Sequence, residues 1–387
     1  MHTMAVFGSG DVGEAVLRFS ATHPGISELW ALDLDERRAE VAVNEAAAIA
    51  AHRGRVPEFN WRTVDMTSRE QIGEALADIQ PDVIVQTATL QSWWVLSQLP
   101  REQYRQLAFE ARFGPWLPLH LLPAMRLMEA CAEVDIEAPV VNVAFPDGVN
   151  PVLEGLGLAP ATGAGNSDLL HPGIRCLVAR RFGVPVTDVD VRLLAHHSHV
   201  DLFWTGLEEV EELDPSTFWL HVAIGGEDRT DEINPADLLR EAGRLLPKGR
   251  AIAQRTASSA AKNAILLLGE TPMRTHTSAP VGMVGGYDVL LSNVGVEILW
   301  PEALSPAEAK AVNERAQVSD GIERIDDDGI VHFTERASSA MREVLTYDCK
   351  VLRPEDAEDR AMELRERLGR LVSRDQSAPS VVHSDEG

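Results

Sequence analysis

Met4-Ala5-Val6-Phe7-Gly8-Ser9-Gly10-Asp11-Val12-Gly13, followed further on by Leu29-Trp30-Ala31-Leu32-Asp33, is the stretch that decides how this chain folds. A short apolar strand runs straight into a glycine turn, a helix pattern follows, and a second strand ends on a carboxylate. A dinucleotide site needs its parts in this order. Gly8 allows the tight turn, Gly10 lets backbone approach a pyrophosphate, and Gly13 lets helix and strand pack closely. The phosphates then lie at a helix N-terminus, where free N–H groups and the positive dipole end favour anions. Asp33 stands about 20 residues beyond the glycines, the distance at which a carboxylate reaches the adenosine ribose hydroxyls. It repels a ribose 2′-phosphate, which favours NAD over NADP. Arg37 and Arg38 follow closely and read as the solvated start of the next helix.

The composition is that of a globular protein: 387 residues, 45% hydrophobic and 25% charged. The length suits two lobes, on a prior of about 150 residues per domain. A formal net charge of −25 argues against nucleic acid and anionic membrane surfaces as partners, because both call for a basic face. A small-molecule substrate is left. Cys131, Cys176 and Cys349 form no CxxC pair and read as small buried apolar side chains of a reducing compartment. The first strand begins almost at the N-terminus and no apolar run has the length of a membrane span, so the expected location is cytoplasmic.

Outward from the opening stretch, an Ala- and Glu-rich helix reaches about residue 51, a third strand covers 60–64, a helix covers 67–79, and 82–88 is a buried fourth strand. Strands alternating with helices give a parallel sheet. Residues 89–115 hold Trp93, Trp94, Tyr104, Arg101, Arg105 and Arg112, and read either as a lid over the cleft or as surface helices. A helix over 117–134 and a fifth strand over 139–144 precede Phe145-Pro146-Asp147-Gly148, a turn out of the first lobe. In the second lobe a helix covers 173–182, and a strand over 190–195 ends in His196-His197-Ser198-His199. Helices over 235–246 and 256–268, a strand pair over 287–292 and 295–299, and a helix over 306–317 capped by Ser305 follow. The expected architecture is α/β. A Rossmann-type parallel-sheet cofactor lobe covers 1–150, a mixed α+β substrate lobe 151–320, a C-terminal helical extension 321–374, and a disordered tail 375–387.

This order of elements resembles the lactate/malate dehydrogenase superfamily over residues 4–317. The likeness runs from Val6-Phe7-Gly8-Ser9-Gly10-Asp11-Val12-Gly13 through Asp33 and Thr87-Ala88 to Arg180-Arg181-Phe182-Gly183-Val184. It continues in Ala195-His196-His197-Ser198, Tyr287-Asp288-Val289-Leu290-Leu291 and Gly295-Val296-Glu297-Ile298-Leu299. The resemblance implies an NAD-dependent dehydrogenase that assembles as a homodimer or homotetramer. It places Gly8, Gly10, Asp11, Val12, Gly13, Asp33, Thr87, Ala88 and Asn142 around the cofactor. His197 takes the place of the acid/base histidine, a group whose ordinary pKa near neutrality lets it give and take a proton.

The substrate half departs from that pattern. The family's Asp and Arg on the preceding helix fall on Leu170 and Gly173, which can neither orient an imidazole nor clamp a carboxylate. If a short insertion shifts Asn166-Ser167-Asp168 forward, Asp168 orients His197, the alternative being a helix-capping role, and Arg175 lies one turn from the clamp position. Arg112, with Arg101 and Arg105 as alternatives, takes the role of the loop arginine that polarises the carbonyl, and Ser258 that of a substrate-facing threonine. Phe145 stands where the family has an asparagine. A plain malate or lactate dehydrogenase is therefore not expected; a different alcohol or ketone is.

Three other readings stay open. His197, His199 and Asp201 spell HxHxD, and on a strand they would share one face and bind a metal. Tightly held NAD could serve transient oxidation for elimination or epimerisation, with His196 or His199 as the extra base. The cofactor lobe could also belong to a non-catalytic NAD-binding regulator. A short-chain dehydrogenase is excluded, because none of the three tyrosines has a lysine four residues on; Ala108, Leu291 and Val351 stand there.

Overall fold

The computed structural model describes residues 1–205 and 212–376. β1 (His2–Phe7) is fully buried from Met4 onward, because both faces of its sheet are covered. Around it alternate α1 (Asp11–Ala21), β2 (Ile26–Asp33), α2 (Glu36–His52), β3 (Glu58–Thr63), α3 (Arg69–Ile79) and β4 (Val83–Gln86). Short helical turns fill 93–116, among them α4 (Arg101–Arg105). Then come α5 (Leu117–Glu133), β5 (Val140–Asn142), α6 (Pro146–Glu154) and β6 (Thr162–Gly163). The six strands form one parallel sheet in the order β3-β2-β1-β4-β5-β6, with Val6 opposite Ala31 on one side and Val85 on the other. This is the doubly wound order in which a ligand crevice opens where the winding reverses, between β1 and β4.

The rest of the chain supplies α7 (His171–Phe182), β7 (Val189–Leu194), α8 (His197–Thr205), β8 (Trp219–Ile224), β9 (Glu227–Asp228), α9 (Pro235–Arg244) and α10 (Ile252–Leu266). β10 (Met273–Ser278), β11 (Gly286–Ser292), β12 (Gly295–Ile298) and α11 (Pro306–Gln317) follow. β7-β8-β9 and β10-β11-β12 are antiparallel sheets, bridged through Ala195 and Gly286. α10 lies across α1 on a face of Ala257, Ala260 and Ala264, small enough for close approach. The last described elements are β13 (Ile322–Ile325), β14 (Val331–Phe333), α12 (Glu335–Leu345), β15 (Val351–Leu352) and α13 (Ala357–Gln376). α13 turns Ala357, Ala361, Leu364 and Leu368 onto α5 and into the same core as α6. Among the described residues no helix is long and apolar enough to cross a membrane.

Two local expectations are corrected. Residues 146–148 open helix α6 instead of a turn. The strand after α7 stops at Leu194, and His197 starts a helix. The strands β8 and β10 were not anticipated. Of the expected disordered tail, 377–387 lie outside the described residues.

Candidate active site

A cavity of about 750 Å³ opens beyond the carboxyl ends of β1 and β4. Gly8, Gly10, Asp11, Val12, Gly13, Asp33, Thr87 and Ala88 line one part of it. A Cβ on Gly13 would stand 1.8 Å from the Gly8 carbonyl oxygen, so the turn closes on α1 only with glycine there. At Gly10 a Cβ would meet nothing within 4 Å, which is the open cradle itself. No side chain caps α1, and its first internal bond is Glu14 N–H to Gly10 O, 2.9 Å; the N–H groups of the first turn are left for a ligand. The Asp33 carboxylate is held in place by the N–H groups of Ser9 (2.6 Å) and Asp35 (2.9 Å). Arg38 approaches it to 3.7 Å. Asp11 receives a two-pronged contact from Arg250, 2.7 and 2.9 Å, which ties α1 to the turn before α10.

His197 forms the other part, at the first position of α8. Its backbone N–H donates to Asp147 Oδ2 (2.7 Å), so a carboxylate from α6 caps this helix. Its Nδ1 donates to Asp320 Oδ2, 2.6 Å away and fully buried at the end of the turn after α11. Burial alone would push the imidazole pKa down; the Asp320 charge and hydrogen bond outweigh it, with Asp201 and Asp147 adding, and raise it to about 9. The ring is wedged between Phe113 (centroids 4.8 Å) and Phe145 (5.3 Å). Trp93 packs on Phe113 at 4.7 Å, and Trp93, Trp94, Phe113, His120 and Phe145 all line the cavity. Phe145 (φ 46°) and Arg112 (φ 63°) sit in the left-handed region without being glycine, a strain that clusters at functional sites. Met362 and Arg365 of α13 also reach the cavity wall.

Several candidates fall elsewhere. Asp168 does not meet His197: its buried carboxylate accepts from Lys262 Nζ (2.7 Å) and Ser259 Oγ, and both neighbours hold its pKa low. Asp320 takes the orienting place instead. Arg112 is buried 3.5 Å from Asp201 and is not among the cavity-lining residues. Arg101 and Arg105 are exposed on α4, away from the cavity. Arg175 donates to the carbonyls of Val189 (3.1 Å) and Val186 (3.0 Å), fastening α7 to the start of β7. Ser258 is exposed on α10, where Ile252, Ala253 and Thr256 line the cavity. Asn142 does not line the cavity. It bonds Ala144 and Asn150 and so braces the turn that carries Phe145.

The metal reading fails on geometry. Because α8 is a helix, position 199 is turned away from the face that 197 and 201 share. His199 accepts the His196 N–H (3.1 Å) and meets Thr217 Oγ1 (3.2 Å), while Asp201 faces Arg112. Among the described residues no cluster of three or more His, Cys, Asp or Glu is arranged to hold a metal ion. Three side chains were missed in the sequence: Asp320, Asp147 and His120. Their only signal was a carboxylate beside Gly321, one beside Pro146, and a histidine in an apolar helix.

Solved structures share this architecture. The malate dehydrogenase of Cryptosporidium parvum is 16% identical, with 82% of this chain and 98% of that one covered, at a TM-score of 0.56. A lactate dehydrogenase from the same organism, complexed with lactic acid and nicotinamide adenine dinucleotide, is 17% identical over 82% and 96%, at 0.53. The Eimeria maxima lactate dehydrogenase with NADH and oxamate is 15% identical over 80% and 89%, at 0.56. No family model and no curated protein matches the sequence. The chain has the lactate and malate dehydrogenase fold.

Proposed function

We propose that the protein is an NAD-dependent oxidoreductase that interconverts an uncharged, apolar secondary alcohol and its ketone. One observation carries this reading: an imidazole paired to a buried carboxylate opens on the same cavity as a glycine turn and Asp33. These residues fit an adenine dinucleotide. The open cradle at Gly10 and the uncapped first turn of α1 suit the pyrophosphate, and Asp33 suits the ribose hydroxyls. A 2′-phosphate would meet Asp33 and Asp35 together, which favours NAD over NADP.

When bound, NAD supplies the nicotinamide that takes up or returns a hydride. The chain supplies the rest. His197 accepts the alcohol proton in oxidation and gives it back in reduction. Asp320 holds the ring in one orientation and stabilises its charged form, while Phe113 and Phe145 keep water from it. Phe113, Phe145 and His120 line the cavity beside His197, and among the described residues the arginines on the wall are Arg38, next to Asp33, and Arg365 of α13. Among the described residues that line the cavity, no arginine stands beside the proton donor to clamp a substrate carboxylate, so 2-hydroxy acids are expected to be poor substrates. Transient oxidation is not favoured: the extra bases it would draw on, His196 and His199, are buried within their own hydrogen bonds and do not line the cavity.

Calorimetric titration with NAD and NADP, followed by turnover of aryl-alkyl secondary alcohols against 2-hydroxy acids, tests the reading. NAD is expected to bind at least roughly tenfold tighter, about 1.4 kcal/mol. His197→Ala should keep that affinity and lose about 10²- to 10⁴-fold in turnover. Absence of any coenzyme binding, or unchanged turnover in His197→Ala, overturns it.

A further inference from the structure

His120 is a polar group that this chemistry leaves unused. It lies inside α5, where its sequence neighbours Leu119, Leu121, Leu122 and Pro123 are apolar and buried. Only 6% of it is exposed, yet it lines the cavity. Its ring stands 5.2 Å from Phe113 and 6.1 Å from Phe145, the same two rings that flank His197. Nδ1 is sealed in the wall without a hydrogen-bond partner among the described residues, so the other edge of the ring faces the cavity. A buried N–H without a partner is more costly than a bare acceptor nitrogen, which puts the proton on Nε2, toward the cavity.

A leucine would satisfy this position better than an orphaned imidazole unless something enters the cavity to meet it. We propose that His120 is a substrate-binding residue that donates a hydrogen bond to a second, uncharged oxygen of the substrate. The substrate class is thus an aromatic or similarly apolar alcohol or ketone with a hydroxyl or keto oxygen next to the reacting carbon. Burial and the neighbouring His197 charge push the His120 pKa down to about 3, so the ring stays neutral and selects neutral oxygens over carboxylates. Its low basicity also makes it a positioning group, with the proton transfer left to His197. The inference rests on the oxidoreductase reading.

The test compares wild type, His120→Leu and His120→Gln; glutamine keeps a donor near the Nε2 position. Probes are 1-phenylethane-1,2-diol against 1-phenylethanol for turnover, and 2-hydroxyacetophenone against acetophenone for binding to the NAD-loaded protein. Wild type should prefer the dioxygenated member of each pair by about tenfold or more. His120→Leu should erase that preference, and His120→Gln should restore part of it. The melting temperature of ligand-free His120→Leu should equal or exceed that of wild type, because among the described residues Nδ1 has no hydrogen-bond partner to lose. Equal losses on both probes, a preference that survives in His120→Leu, no binding of either ketone to wild type, or a lower melting temperature overturns the proposal. NADH titration by fluorescence separates the two claims: no coenzyme binding in wild type sinks the oxidoreductase reading, whereas normal binding with unaltered selectivity sinks His120 alone.

Discussion

At His197 two effects oppose each other: burial of the ring disfavours charge, and the Asp320 oxygen 2.6 Å from Nδ1 favours it. The carboxylate wins, and the ring is cationic up to about pH 9. Ketone reduction, which uses the imidazolium as acid, should therefore be flat through neutrality and fall as pH rises past about 9. Alcohol oxidation, which uses the neutral base, should rise toward the same value. Asp320→Asn should move that limb to lower pH and cost about 10²- to 10⁴-fold in turnover, measured as a pH–rate profile. Stability follows the same linkage. His197 has a raised folded pKa, so its contribution is complete below its ordinary 6.5 and is lost as pH rises through about 9. Asp320 is held low by His197, so its contribution is present above its ordinary 3.8 and is lost as pH falls below that. The alkaline decline in melting temperature should flatten in Asp320→Asn; a variant as pH-sensitive as wild type contradicts the pairing. The glycine turn and Asp33 were legible in the sequence because their spacing is local and fixed by backbone geometry. Asp320 was not, because it meets His197 across 123 positions and nothing in either segment encodes that approach. Asp168, the nearer candidate, is absorbed by Lys262 and Ser259.

Among the elements, the route from α11 to β13 delivers Asp320. α11 starts with a reciprocal Ser305–Glu308 cap, seats Ala309, Val312 and Ala316 in the core, and ends in a tight turn over Val318–Asp320. Gly321 then reverses the chain at φ 87°, where a Cβ would stand 2.9 Å from both the Ala111 oxygen and the Ala337 Cβ. Gly321→Ala therefore combines left-handed strain with overpacking, about 2 kcal/mol or more. It should displace Asp320, shift the alkaline limb downward and lower turnover while leaving NAD affinity intact, since the glycine turn belongs to other elements. A wild-type pH profile in that variant would separate the turn from the charge pair. Element by element, the middle of the parallel sheet was readable because β1 from Met4 to Phe7, β4 from Val83 to Val85 and the start of β5 are continuous apolar runs. β10 was hidden: Met273–Ser278 is mostly polar, and its buried side chains are satisfied by hydrogen bonds such as Asn263 Nδ2 to Thr277 Oγ1 (2.8 Å) and Ser278 Oγ to Gly165 O (2.8 Å) instead of apolar packing. α8 was misread for a related reason: its first turn is polar and is capped by Asp147, a residue 50 positions earlier.

For the whole molecule the decisive feature is that one core joins residues far apart in sequence. Leu107, Leu117, Leu121, Val149 and Phe145, which border the cavity or support its wall, share a cluster with Ile322, Met341, Leu364 and Leu368. A C-terminal region built this way shares its core with α5 and α6, and it also carries Met362 and Arg365 to the cavity. Its helices cannot detach without uncovering α5 and the segment that holds Phe113. Leu364→Ala, at a fully buried position on α13, should therefore cost about 2–5 kcal/mol. In a chain of this size that lowers the melting temperature by roughly 2–6 °C. The loss should appear as one transition, with helical circular dichroism, tryptophan fluorescence and NADH retention falling together, because Trp93 and Trp116 belong to or pack against the same cluster. A C-terminal helix acting as an independent appendage would behave otherwise: an early partial loss of helical signal, with tryptophan emission and coenzyme affinity unchanged until a second transition. That outcome would remove α13 from the architecture of the site and leave the cavity wall at Met362 and Arg365 without a functional meaning.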